Sequence, residues 1–446
     1  MDPTAAHSLP EGTRRRFGMS YGMSHPWYVL GMIMAFAVFN MIDRYLLAGL
    51  VSPIKQEFGV SDTYIGFLLG PSFAILYTTV AIPVARLADR APRVAILAVG
   101  CAVWSMFTFL SAFATDSTTF ALMRVGVGLG EAAFVAPAYS LLSDYFPPRK
   151  RALAFAIVGA GYFIGQLAGL SAGAAIAEVY GWRAAFMVMG LPGVALALLL
   201  YVSVREPARA HLETSKVAQP SLWNTVKTLW VRKSYRFLTL GSALGGFAVY
   251  AFAMWGPTYF LRAFEMPLTQ ANLTFGIGYG LSNMAGSLGG GWLCDRLAQR
   301  SPDAPMRFAA ASLFSLAICF VAVCLSGPTG AVAFMVVGGL LGGGHSAAIV
   351  ASMHDLVPGT IRATATALWS FVFNFVGLVW GPYTVGVLSD WFGTFADDGL
   401  RYALIATSAV GVLGAMSLLR SSFSLGADRK NWQAQEAVQL SAAEKA

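Results

Sequence analysis

Long apolar runs, each bounded by proline, glycine or charged residues, dominate this sequence. They fall near 26–51, 62–87, 93–115, 118–144, 150–178 and 183–204, with six more between about 236 and 420. An α-helix needs about 20 to 25 such residues to cross the hydrocarbon of a bilayer, and twelve helices would use about 240 to 300 positions. Of the 446 residues 57% are apolar and only 12% charged, about half the charge of a soluble chain, so a water-facing surface cannot be assembled from what remains. The expected fold class is an all-α polytopic membrane protein. The first run follows Arg14, Arg15 and Arg16 as a signal peptide would, but it continues through Asp43 and Arg44 to Val51 without an Ala-x-Ala-like site, and reads as a retained first helix. Cys101, Cys294, Cys319 and Cys324 sit inside apolar runs without metal-ligand spacing, so neither a disulfide framework nor a metal site is expected.

Sorting the basic residues by the loops between runs sets an orientation. Of 30 lysines and arginines, 24 fall on the side that holds both chain ends and the even-numbered loops. Lys55, Arg183, Arg262 and Arg401 fall on the other, and Arg44 and Arg124 lie inside runs. Basic loops stay in the cytoplasm, which puts both termini there and the chain in the plasma (inner) membrane. The net charge of +8 then reflects topology and anionic headgroups and gives no reason to expect a nucleic-acid partner.

The sequence repeats itself at a separation of 206 to 212 residues. Arg86-Leu87-Ala88-Asp89-Arg90 ends the second run, and Trp292-Leu293-Cys294-Asp295-Arg296 ends the eighth. Asp144-x-x-Pro147-x-x-x-Arg151-Ala152 recurs as Asp355-x-x-Pro358-x-x-x-Arg362-Ala363, and Gly165-x-x-x-Gly169 as Gly377-x-x-x-Gly381. Three correspondences in one order at nearly one period describe two six-helix halves, 26–205 and 233–422, joined by a polar linker at 206–232 and flanked by tails at 1–25 and 423–446.

Paired halves with Asp-Arg loops after the second and eighth helices resemble the major facilitator superfamily. Ala85 and Pro92 stand where that motif usually has glycine. The N-terminal half contains, in order, Asn40-x-x-Asp43-Arg44-Tyr45-x-x-Ala48-Gly49, Phe58-Gly59-Val60-x-Asp62, Arg124-x-Gly126-x-Gly128-x-Gly130-Glu131-Ala132 and Val204-Arg205-Glu206-Pro207-x-Arg209. By these motifs residues 40–209 resemble, within the superfamily, the spinster family of lipid transporters in its bacterial form. The resemblance implies twelve transmembrane helices in two pseudo-symmetric bundles, alternating access about a midplane site, a lipid substrate and a single chain as the working unit.

Four formal charges fall deep in apolar runs: Asp43 and Arg44 in the first, Arg124 and Glu131 in the fourth. Each would cost about 2.5 to 3.5 kcal/mol at the centre of a lone membrane helix, so four that sum to zero call for interior placement and mutual partners. Arg124 and Glu131 are seven residues apart, about 10 Å along one helical face. The resemblance places the first and fourth helices around the cavity, where the four would form one network. Asp43 is expected to be the main protonation site and Glu131 a second. Protonating Asp43 would release Arg44 or Arg124 to bind an anionic headgroup or to re-pair with Glu131. The competing reading is a permanent ion-pair cluster that locks the first helix to the fourth.

The repeated loops suggest a gate on the chain-end side. Asp89 and Asp295, with Asp144 and Asp355, would pair with Arg90, Arg151, Arg296 and Arg362, the Asp-Arg-loop aspartates meeting helix N-termini of the opposite half. Ordinary positive-inside charge explains the arginines but not the matched aspartates. Substrate candidates are Arg44, Arg124, Tyr162, Tyr250, Trp255, His345 and Phe373. His345, after three glycines, suits either a backbone hydrogen bond or a cavity wall. The seventh run (Tyr250, Phe252, Trp255, Tyr259) and the eleventh (Trp369, Phe371, Phe373, Phe375, Trp380) would form an aromatic wall opposite the charges, suited to a substrate with a polar head and an apolar tail, although each ring also suits packing. Gly161, Gly165, Gly169 and Gly173 form a ridge for close helix packing, and Leu222-Trp223-x-x-Val226-Lys227-x-Leu229-Trp230 spaces its residues as an interfacial helix.

The expected function is proton-coupled secondary transport of lysophospholipid-like or sphingoid-phosphate-like amphipaths, with no cofactor beyond a proton gradient. A carrier of small organic anions or drugs would use the same arginines. A passive channel or a membrane-embedded enzyme is the reading from another class. For an enzyme the chain offers no helical His-Glu-x-x-His and no strand-supported phosphate loop, and His354-Asp355 repeats as Ser143-Asp144, without the histidine.

Overall fold

A computed structural model describes residues 25–207, 222–358 and 361–443, which contain helices and no strand. Arg14 to Arg16, Arg209, Lys216 and Lys445 lie outside the described residues. Eleven helices are long and apolar enough to cross a membrane: Pro26–Gly49, Asp62–Ala88, Arg93–Ser111, Ser117–Tyr145, Pro148–Tyr180, Trp182–Ser203, Lys233–Ala263, Ala304–Leu325, Pro328–Leu356, Thr364–Phe392 and Gly399–Trp432. A further helical run, Leu268–Phe275, Gly276–Leu281 and Ser282–Arg300, lies between the seventh and eighth of these. It is less apolar because part of its surface meets protein and cavity: Asn272 is buried and Asn283 lines a cleft. Counted as the eighth span, it makes twelve, and the protein is an all-α integral membrane protein.

Small residues set how closely the spans approach. Gly161, Gly165, Gly169 and Gly173 of the fifth span lie against Met34, Val38, Ile42 and Leu46 of the first, and at Gly165 and Gly169 a Cβ would collide with the backbone of the first span. Gly126, Gly128 and Gly130 seat the fourth span against Phe107, Phe73 and Trp104 in the same way. In the other half Gly241 meets Gly414, and Ser417 and Ser421 donate from the twelfth span to the carbonyls of Phe237 and Ser234 in the seventh, both at 2.8 Å.

Several spans are interrupted along their length. The second breaks at Gly70, the fourth at 132–134 directly after Glu131, and the tenth at Gly343 and Gly344 directly before His345. The eighth and eleventh carry π-helical turns at Gly276–Leu281 and Phe375–Trp380. Irregular backbone inside a membrane is tolerated where it meets protein or a cavity, and these breaks surround the interior described below.

The C-terminal segment differs from expectation. Residues 423–443 do not leave the last span as a tail: the helix runs unbroken over Gly399–Ala443. Asp428 is buried and accepts hydrogen bonds from the Ser234 amide at 2.9 Å and hydroxyl at 2.6 Å, and Arg232 lies 4.8 Å from the Trp432 ring. Those contacts fasten the extension to the start of the seventh span. The linker helix Leu222–Val231 buries Thr225 and Leu229 and exposes Trp223, Trp230 and Val231, an amphipathic arrangement.

Candidate functional site

Neighbouring residues on a helix point about 100° apart, so Asp43 and Arg44 cannot face the same space. Arg44 turns into the interior between the two halves, where its Nη2 donates to Glu131 Oε2 at 2.6 Å. Its guanidinium lies 4.9 Å from the ring centres of both Phe73 and Tyr77. Asp43 turns instead toward the third and fourth spans, beside Thr108, Cys101 and Arg124. It is fully buried, and neither carboxyl oxygen has a hydrogen-bond partner among the described residues. Arg124 reaches the main-chain carbonyl of Asp43 at 3.4 Å and stands 5.4 Å from the Phe73 ring. The four charges are therefore adjacent but unequally joined: one ion pair faces the cavity, while Asp43 and Arg124 lie behind it.

That cavity has a volume of about 360 Å³. Arg44, Asn40, Tyr162 and Gln166 line it from the N-terminal half, and Tyr250, Tyr279, Asn283, His345 and Phe373 from the C-terminal half. His345 lines the cavity, and its Nδ1 also meets the Gly342 carbonyl at 2.6 Å. Phe373 is held by Trp369, stacked 5.5 Å away, and by Tyr250 at 6.0 Å. Trp255 is not a lining residue. It is fully buried in helix packing, with its indole nitrogen bound to the Pro382 carbonyl at 2.8 Å, so it cannot touch a solute. Gln166, Tyr279 and Asn283 escaped the sequence reading, and Asn40 stood in its first motif without a role, although an amide inside an apolar run is the signal that marks three of the four.

A second cleft of about 550 Å³ shares Tyr77 and Val135 with the first and continues toward the chain-end face, passing Glu131, Ser140, Arg86, Asp89, Thr364 and Phe371. The interior thus opens on the side of the chain ends. The opposite side is shut. There Asp62, at the start of the second span, receives both terminal nitrogens of Arg262 in the seventh at 2.7 and 2.9 Å, Lys55 at 2.6 Å and the Ser389 hydroxyl at 2.7 Å. Asp390 accepts the backbone amides of Asp62 and Thr63, at 3.1 and 2.7 Å, capping the second span from the other half. Asn272 donates to the Gly49 carbonyl at 3.0 Å, and Glu178 accepts from the Thr269 amide at 2.8 Å. Asp62 stood in the sequence motif without a role, because its partners come from residues about 200 and 330 positions later.

The residues expected to form a gate lie on the open side, and none joins the two halves in this conformation. Asp144 is paired with Arg93, which also binds Glu206 at 2.7 Å; Asp355 is paired with Arg429 at 3.4 Å. Arg151 donates to the Phe146 carbonyl at 3.1 Å and Arg362 to the Val357 carbonyl at 3.4 Å, five residues back in both copies. The repeated loops therefore fold alike, but their arginines cap the preceding helix. Arg296 lies over the Trp292 ring at 3.9 Å, and Asp89, Arg90 and Asp295 have no ion-pair partner among the described residues. Asp89 does share its cleft with Thr364, in the first turn of a helix from the other half. Among the described residues no group of three His, Cys, Asp or Glu side chains has the geometry to hold a metal ion.

The profile of the Major Facilitator Superfamily matches residues 33–338. An "MFS-type efflux pump" of Mycolicibacterium smegmatis is 30% identical over 404 residues, 89% of this chain and 92% of that one. "Protein spinster homolog 1" of Mus musculus is 28% identical over 95% of this chain and 85% of its own length. Among solved structures, a bacterial homologue of the human lysosomal transporter spinster, in an inward-facing and unoccupied conformation, superposes with a TM-score of 0.82 at 24% identity, covering 92% of this chain and 99% of that one.

Proposed function

Because the chain belongs to the major facilitator superfamily and is a secondary transporter rather than an enzyme, we propose that it carries amphipathic lipids of the lysophospholipid or sphingoid-phosphate type, driven by a proton gradient. The spinster relatives suggest the substrate class. The observation that carries the reading is the one-sided cavity, with an arginine-carboxylate pair at its deep end and a wall of Tyr250, Tyr279 and Phe373 opposite. A phosphate would compete with Glu131 for the Arg44 guanidinium, and the aromatic wall and the apolar cleft below it would take the tail. Both termini lie in the cytoplasm of the plasma membrane by the distribution of basic residues, and the conformation is then open to the cytoplasm. A single chain encloses the whole cavity and serves as the working unit.

The placement of Asp43 directly behind Arg44 supports proton coupling. In this conformation Arg44 is bound to Glu131 while Asp43 has no bonded partner, an arrangement that suits a protonated Asp43. Losing that proton places a second buried anion beside Arg124 and Glu131; the Asp43 carboxylate draws on Arg124 and repels Glu131, which loosens the Arg44–Glu131 pair. Protonation at the rear site thereby changes what the substrate meets at the front. The groups facing Asp43 from neighbouring spans are Arg124, Glu131, Thr108 and Cys101.

The test is uptake of a fluorescent lysophospholipid into proteoliposomes with and without a pH gradient, for wild type beside Asp43→Asn. Gradient-stimulated uptake that is lost in the variant is the expected outcome. Equal stimulation in both would remove Asp43 from the coupling. A second reading, export of amphipathic drugs or small organic anions, is favoured by the efflux-pump relative. Competition of the lysolipid by a tailless anion at equal concentration would move the assignment there.

A further inference from the structure

On the chain-end face, away from the transport interior, the seventh and twelfth spans frame a groove of about 580 Å³. Lys233 and Arg236 enter it from the first turn of the seventh span and Arg420 from the twelfth. Among the described residues none of the three is paired with a carboxylate, and no acidic side chain lines the groove. Arg236 and Arg420 both lie against the ring of Phe237, at 5.6 and 5.1 Å, so two guanidinium groups are held on one platform instead of spreading apart into solvent. Loop basicity alone explains cations near this face, but not two guanidinium groups gathered on one ring with no carboxylate among the described residues paired to them.

The groove continues into apolar surface. Leu413, Met416, Arg420 and Phe423 follow one another at spacings of three and four residues, which places them on one helical stripe. The three apolar members are 56%, 60% and 73% exposed, a row that in a membrane protein faces lipid chains. A ligand filling both parts carries negative charge at the headgroup level and hydrocarbon beneath it.

We infer that this groove is a binding site for an anionic phospholipid of the leaflet on the chain-end side, with its phosphate between Lys233, Arg236 and Arg420 and an acyl chain along Met416 and Leu413. The source is the bilayer itself and not a soluble phosphate, because the apolar stripe adjoins the cations without a break. The site is separate from the cavity at Arg44 and does not depend on the identity of the transported substrate.

Native mass spectrometry of the detergent-purified full chain, with phosphatidylglycerol or phosphatidylcholine added, tests this. Wild type should retain phosphatidylglycerol over phosphatidylcholine by about tenfold, and Lys233→Gln/Arg236→Gln/Arg420→Gln should lose that preference. A charge-matched control, Arg149→Gln/Lys150→Gln/Arg300→Gln, removes three exposed cations of the same face and should keep it. Equal loss in both triples, or no preference in wild type, overturns the site. Should the groove triple fail to fold, Arg420→Gln alone replaces it; an unchanged preference in that variant counts against the proposal, and a several-fold reduction supports it. Glycerophosphoglycerol, the headgroup without chains, should not displace the lipid at equal concentration, and displacement would overturn the assignment to a lipid.

Discussion

Glu131 and Asp43 are both fully buried carboxyls within one network, yet their removal should have unequal consequences for stability. Glu131→Gln strips Arg44 of its only ion-pair partner among the described residues and strands a buried guanidinium, a change of about 3 to 5 kcal/mol. Asp43→Asn breaks no ion pair, and the amide finds the Arg124 and Thr108 surroundings at a cost of about 1 kcal/mol or less. Thermal unfolding of the two variants in detergent should show a large drop in midpoint for the first and little change for the second, even though both lose gradient-driven uptake. Similar drops would mean that Asp43 is a structural partner after all. Reading along the sequence found these four residues because charge in an apolar run is conspicuous. It put Arg124 and Glu131 on one face and allowed Arg44 to re-pair with Glu131, and both side chains do reach the first span; what it did not show is that Asp43 would stand apart from that pair, beside Arg124 and without a hydrogen-bond partner among the described residues.

Among the elements, the two copies of the Asp-x-x-Pro-x-x-x-Arg loop are the clearest case of a repeat whose backbone is conserved between halves while its energetics are not. Both arginines cap the helix before them, but Asp144 is 7% exposed against an Arg93 that is 3% exposed, while Asp355 is 60% exposed against an Arg429 at 28%. Deleting one partner of an ion pair removed from water costs about 3 kcal/mol or more when the other is left alone, and less at Asp144, because Glu206 still holds Arg93. An exposed pair is worth about 0 to 1 kcal/mol. Asp144→Asn should therefore lower the unfolding midpoint by several degrees and Asp355→Asn should leave it nearly unchanged, a contrast that differential scanning fluorimetry resolves. Periodicity showed that the loops repeat, and the glycine ridges showed which helices approach closely. What stayed hidden was the partner of each aspartate, since Arg93 and Glu206 lie 51 and 62 residues from Asp144 and only folding brings them together.

Across the whole molecule, the two faces form a balance whose arms can be cut one at a time. Every hydrogen bond described between the halves lies on the face away from the chain ends, with Asp62 at its centre, while Asp89 stands unpaired on the open face. Asp62→Asn removes the charge that holds Arg262 and Lys55, half-buried charge-assisted bonds worth together about 2 kcal/mol, so it should favour the state open on that face by about tenfold or more. Asp89→Ala removes nothing from the present conformation. If Asp89 meets the first turn of the helix bearing Thr364 when that face closes, its loss should shift the population the other way by a smaller factor, about threefold, as expected for an exposed contact to a helix N-terminus. Spin labels at Arg149 and Arg300 on the chain-end face, and at Thr115 and Phe395 on the other, read both shifts as distance distributions in one sample. Asp62→Asn should shorten the first distance and lengthen the second, Asp89→Ala should do the reverse, and the double variant should fall between them. Two shifts in the same direction would exclude a gate at Asp89 and leave the Asp62 cluster as the one electrostatic element that sets which face is open.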